Sequence, residues 1–180
     1  MSPFLENLAA LDRVLDTHAV ELGDDFPAYR HHAYRVANLF AALHPCSGDT
    51  LEQLALAAAF HDLGIWTAHT FDYLAPSIEL ACEHLDCAGH EDWQAGVSGM
   101  IREHHKIRPY KGPHLELVEP FRRADWIDVS RGVLSFGLPR TKLREIFRRW
   151  PNAGFHKRLL HLTLRQFRAH PLRPVPVLKW

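Results

Sequence analysis

The 180-residue chain lacks most features that would set it apart from an ordinary globular protein. Cysteine is scarce: Cys46, Cys82 and Cys87 are an odd number with no CxxC spacing, which argues against a disulfide framework or a zinc knuckle and predicts reduced thiols. Long apolar runs are missing too. The longest, Leu54 to Phe60, falls far short of the roughly 20 residues that a membrane-spanning helix needs. The opening MSPFLE has no basic start of the signal-peptide kind, so a cytoplasmic protein without a membrane partner is expected. No period-two alternation persists, which excludes a sheet protein, and no repeat is evident. No segment is polar enough to be read as disordered. With 47% apolar and 23% charged residues, the chain suits one domain burying roughly 70% of its unfolded surface.

Net charge is formally zero, but it is unevenly distributed. Residues 1–99 hold three Lys/Arg against fifteen Asp/Glu, and residues 100–180 hold eighteen against six, giving −12 and +12. Either the halves interleave, or one side is electropositive and suited to an anionic small molecule. Arginines scattered without an aromatic-basic pattern point away from nucleic acid. Histidine, by contrast, is abundant: fourteen residues carry the commonest transition-metal ligand, so their placement decides the chemistry.

The punctuation predicts an all-α, single-domain helical bundle over residues 1–170. Ser2-Pro3 reads as a cap and first turn, with apolar residues at helical spacing until Gly23. Asp25 and Pro27 open a second helix that Pro45 ends. A third, capped at Asp49 or Thr50, is apolar on every side from Leu51 to Phe60 and stops at Gly64; it is the expected central helix. An aromatic-rich irregular connection over residues 65–76 follows, in which Trp66, Phe71 and Tyr73 could roof a pocket. Helices are then expected over 77–88, 91–105, 115–130, 139–150 and 154–169, with a Pro/Gly loop at 106–114. Residues 171–180, PLRPVPVLKW, carry three prolines and should lie extended; with Trp180 they could serve an oligomer contact.

The sharpest local signal is His61-Asp62-Leu63-Gly64, an imidazole and a carboxylate at the end of a buried helix. Two such polar groups are costly there unless they are paired or bound to an ion. Upstream stands His32-Ala33-Tyr34-Arg35-Val36-Ala37, and downstream Arg123-Ala124-Asp125-Trp126-Ile127-Asp128. The order of HxxRVA, then HDLG, then AD over residues 29–130 resembles the HD-domain superfamily of metal-dependent phosphohydrolases. The resemblance implies metal ligation by His32, His61, Asp62 and Asp125, in preference to the neighbouring His31 and Asp128, with Asp128 as a supporting partner. It also implies that Asp62 orients the attacking water. Some branches hold a second ion through extra histidines, and His104 or His105, together with His84, stand at roughly that interval. His90 is a rival for His84.

Two imidazoles and two carboxylates suit Mn, Fe, Co, Ni or Zn better than Mg or Ca. Such an ion lowers the pKa of bound water toward about 7, so hydrolysis of a phosphorylated or nucleotide-like anion is the expected reaction. Lys106 is the favoured cationic partner for that chemistry, with Arg35, Arg108 and Arg122 as further substrate-binding candidates. The same ligand set suits a diiron oxygenase or a small-molecule hydratase. A non-catalytic metal-binding interaction module is the rival outside enzymes.

Overall fold

Helical periodicity in the sequence resolves into an all-α architecture in the computed structural model, which describes residues 4–70 and 72–169. Eight helices have nine or more residues: α1 (Ala9–Thr17), α3 (Phe26–Leu43), α4 (Asp49–Phe60), α6 (Leu74–Ala88), α7 (Gln94–Glu103), α8 (Leu115–Val129), α9 (Arg140–Arg149) and α10 (Phe155–Ala169). Single helical turns, α2 (Ala19–Leu22) and α5 (Gly64–Thr67), complete the set, with 3-10 turns at Gly23–Asp25 and Glu91–Trp93. No strand occurs among the described residues. None of their helices is long and apolar enough to cross a membrane.

The apolar run in α4 explains its place. Leu54 to Phe60 are buried on all sides, and α1, α3, α6, α7 and α8 pack around them. One core cluster runs from Leu8 to Phe155. Helix α3 lies along α8, and α7 packs against both α4 and α8.

Several boundaries differ from the sequence expectation. Helix α1 starts at Ala9, because Asn38 holds the preceding chain in an extended form: Leu5 N donates to Asn38 Oδ1 and Asn38 Nδ2 to Leu5 O, both at 3.0 Å. Helical structure breaks at His18, where Thr17 Oγ1 donates back to Arg13 O and bends the last turn. The region expected to be irregular holds α5, and α6 begins three residues early at Leu74. The 91–105 helix divides into a 3-10 turn and α7, leaving His104 and His105 in the turn beyond it. Ser2, Pro3, Phe71 and the proline-rich tail lie outside the described residues.

Gly64 does not serve as a helix stop. It opens α5, and its backbone lies against the start of α6: Gly64 N donates to Ser77 Oγ at 2.9 Å, and an added Cβ would sit 2.6 Å from Tyr73 O. The reason for glycine is close approach. Gly64→Ala must therefore push α5 off α6, and it is expected to lower unfolding stability by about 1–3 kcal/mol in chemical denaturation. A neutral substitution would refute the packing argument.

Candidate metal centre

Five polar side chains from three separate stretches converge beneath the end of α4. His32 comes from the middle of α3, while His61 and Asp62 lie in the tight turn between α4 and α5. That turn is closed by Leu63 N to Phe60 O and Ile65 N to Asp62 O bonds, both 3.0 Å. Tyr29, one turn before His32, fastens this turn to α3: its hydroxyl donates to Ala59 O at 2.8 Å and accepts from Asp62 N at 3.2 Å. Asp125 and Asp128 project from α8. His32, His61, Asp62, His104, Asp125 and Asp128 are all buried.

The donor atoms aim at one another rather than at ordinary partners. His61 Nδ1 donates to Ala58 O at 2.9 Å, so the lone pair of its neutral ring lies on Nε2. That Nε2 faces His32 Nε2 at 2.8 Å. Asp62 Oδ2 lies 3.6 Å from both of these nitrogens, and Asp125 Oδ1 lies 3.6 Å from His32 Nε2 and 4.0 Å from His61 Nε2. With metal–ligand bonds of about 2.0–2.2 Å, two donors on one ion stand about 3 Å apart at right angles and about 4.2 Å apart when opposed. The observed spacings fall in that range, so His32, His61 and Asp62 fit a single transition-metal ion, with Asp125 Oδ1 beside the two imidazoles.

A second group shares Asp62. His104 Nδ1 donates to Ile101 O at 2.7 Å, which turns its Nε2 toward Asp62 Oδ1 at 3.4 Å. His32, His61 and Asp62 form one cluster able to hold an ion, and Asp62, His104 and His105 another. Each oxygen of Asp62 thus faces a different cluster. Asp62 Oδ1, His104 Nε2 and both oxygens of Asp125 are buried without a hydrogen-bond partner among the described residues. Such orphans are costly, and a cation satisfies them. His105 is tethered through one nitrogen: Tyr73 Oη lies 2.7 Å from its Nε2, while its Nδ1 stands 3.5 Å from Asp125 Oδ2 without a hydrogen bond between them.

Behind His32 stands a supporting carboxylate. Asp128 Oδ2 pairs with His32 Nδ1 at 2.6 Å, which aims His32 Nε2 at the cluster. Arg35 clamps Asp128 through Nε at 2.5 Å and Nη2 at 3.0 Å, and its Nη1 donates to Trp150 O and Pro151 O. His156 Nε2 donates to Asp128 O at 3.0 Å, and the Phe155 ring stacks on His32 with centroids 3.9 Å apart. Metal-binding histidines are commonly oriented by such carboxylates.

Three expected site residues serve elsewhere. His84 is exposed on α6, with its ring 5.5 Å from Phe60, because its helix presents that position outward; it joins neither cluster, and His90 stacks on Trp93. Arg35 is committed to Asp128 and positions a ligand rather than binding substrate. Arg122 is committed to Glu119, at 2.7 Å through Nε and Nη2, and its Nη1 donates to Lys106 O at 3.0 Å. It anchors the 106–114 loop that follows His104 and His105. Lys106, paired with Glu103 at 3.6 Å, and Arg108 line an open hollow with Tyr110, Lys111 and Gly112, and its lining includes none of the clustered His and Asp residues. Phe155, His156 and Tyr29 were missed in the sequence; only Tyr29, one turn before His32, offered a signal there.

Electrostatics show what an ion must displace. Burial disfavours charge on His32, but Asp128 and Asp62 push its imidazole up to about 9. Burial drives His61 down to about 3 against the pull of Asp62, with His32 and His104 adding to the fall. Burial, Asp62 and Asp128 lift the Asp125 carboxyl to about 7 against His104 and His32.

Protons therefore occupy ligand positions near neutral pH. Because the His32 pKa is raised, its ring stays protonated until about pH 9, and a metal must expel that proton. Apparent metal affinity should rise with pH between about 6 and 9, by up to about tenfold per unit for each proton released. Calorimetric titrations in buffers of differing ionisation enthalpy count those protons, and pH-independent affinity would contradict the assignment. Asp128→Asn removes the carboxylate that orients His32 and should weaken metal binding by about 10–100-fold, with a fall in unfolding stability because Arg35 loses its buried partner.

No family model, curated protein or solved structure matches this chain, so the centre rests on its own geometry.

Proposed function

We propose that the chain is a metal-dependent hydrolase of phosphate esters or nucleotide-like anions, of the HD-domain type, working with two divalent ions that share Asp62. One observation carries the reading: Asp62 directs Oδ2 at His32 and His61 and Oδ1 at His104, so a single carboxylate is poised between two clusters. The HxxRVA, HDLG and AD pattern of the sequence supports the same family. His32, His61, Asp62 and Asp125 would hold one ion; Asp62 and His104, with His105 beside them, would hold the other. When bound, transition-metal ions supply a Lewis acid for the phosphoryl oxygen and lower the pKa of water toward about 7.

The rest of the work falls to the chain. Asp62 orients the attacking water. Tyr73 bonds His105 Nε2, which leaves Nδ1 as the nitrogen on the carboxylate side of that ring. His105 is also where solvent comes nearest, at 16% side-chain exposure against 4% or less for the other ligands. The hollow of Lys106, Arg108 and Lys111 begins one residue further on. An anion arriving there meets cations before it meets the ligands, and Lys106 is the first of them in sequence after His105.

Elemental analysis of protein purified without added metal, then assay on aryl phosphate mono- and diesters and nucleotides after reconstitution, tests the reading. About two equivalents of Mn, Fe, Co, Ni or Zn and ester turnover are expected, with kcat falling at least about 100-fold in Asp62→Asn. Less than about half an equivalent after reconstitution would sink the metal centre. Bound metal with no turnover on any ester would favour an interaction module, and two irons with oxygen consumption would assign an oxygenase.

A further inference from the structure

The large apolar side chains left exposed are not evenly spread. Among the described residues, all but Val20 lie beyond residue 100, in the half that carries the +12 charge. Three belong to α10. At 100° per residue, Phe155, Leu159 and Leu162 share one face of this helix and pack on the core. Leu160, Leu164 and Phe167 fall within an arc of about 60° on the opposite face and are 60%, 48% and 53% exposed. Lys157, His161 and Arg168 are exposed and border that stripe. Among the described residues no ion pair engages Lys157 or Arg168, whereas Arg149 and Arg158 pair with Glu6 and Asp25. The sequence of α10, FHKRLLHLTLRQFRA, contains no acid.

We propose that α10 is a docking helix for an anionic membrane surface, seating Leu160, Leu164 and Phe167 at the headgroup boundary and Lys157 and Arg168 against lipid phosphates. A basic helix with a second apolar face is the form that lies in such an interface. With 15 residues it is too short to span, so it lies on the surface. Charge selects this occupant over the others. Pairing of two α10 stripes in a dimer would bring Lys157 and Arg168 of both copies together with no acid on either helix. Residues 170–180, HPLRPVPVLKW, add Arg173 and Lys179 and no Asp or Glu, so they offer no counter-charge to Lys157 and Arg168. Nucleic acid would match the cations and leave the apolar stripe unused. The sequence expectation of no membrane partner rested on the absence of a spanning run, which leaves a surface contact open.

Cosedimentation of the full chain with phosphatidylcholine vesicles, with and without about 30 mol% phosphatidylserine, tests the proposal. Binding at least about tenfold stronger to the anionic vesicles, and weakened by salt, is expected. Leu160→Glu/Leu164→Glu and, separately, Lys157→Glu/Arg168→Glu should each abolish that preference. All four side chains are exposed and, among the described residues, none bonds a clustered His or Asp, so thermal stability and metal content should hold in both variants. Absence of vesicle binding, or equal binding to neutral and anionic vesicles, would overturn the proposal. A solution dimer that Leu160→Glu/Leu164→Glu dissociates would overturn it in favour of a second copy.

Discussion

Asp128 carries the buried charge on which the centre depends. It is out of contact with solvent, and burial alone would raise its pKa, yet Arg35 and His32 hold it well below the usual carboxylate range. A buried ion is tolerated only when its lone pairs are filled, and removing one partner of such a pair costs about 3–5 kcal/mol. Here both carboxylate oxygens and the main-chain carbonyl are used, by α3 from one side and by the 150–156 connector from the other. The same bonds that satisfy Asp128 fix the His32 ring. Stability and ligand geometry are therefore set by one group, and a change there cannot affect one without the other.

The inner cluster follows the opposite rule. Asp62 Oδ1, His104 Nε2 and both oxygens of Asp125 are buried without hydrogen-bond partners among the described residues. Acceptors and lone pairs gathered in this way repel until protons or a cation fill the space between them. A core with only Asp128, Arg35 and His32 would be a closed structural network. Adding His61, Asp62, His104 and Asp125 costs stability, and the structure fixes the first three through bonds from His61 Nδ1 to Ala58 O, from Asp62 N to Tyr29 Oη and from His104 Nδ1 to Ile101 O. Rigid aim combined with missing partners is the property of a binding site rather than of packing.

How much of this could be read in advance depended on whether the signal was local. His61-Asp62 at the end of an apolar helix and His32 on a helix with Arg35 are patterns within one element, and they were legible with Asp125. Helix class and the central place of α4 were legible for the same reason, since apolar periodicity is local. His84 misled because an interval counts residues and not directions; α6 turns that position outward. Arg35 and Arg122 misled because sequence displays a charge without its partner, and Arg35 meets Asp128 only through a contact 93 positions away. Ser2-Pro3 is a sound start signal, but Asn38 pins residue 5 in an extended form and delays α1. Gly64 looked like a helix stop, and its role emerged only when α6 was seen against it.

Phe155 joins the two halves of the molecule's chemistry. Its ring stacks on His32 at 3.9 Å and 14° interplanar angle, and the next residue, His156, bonds the carbonyl of Asp128. Phe155 is also the first residue of α10. The helix that exposes an apolar and basic face to the outside therefore starts from the back of a ligand ring inside the core. Packed interiors transmit displacement because they have few voids to absorb it. The first turn of α10 touches His32 through Phe155 and the Asp128 carbonyl through His156. The sequence spacing hides this contact, since Phe155 lies 123 residues from His32, yet the first residue of α10 stacks on that ring.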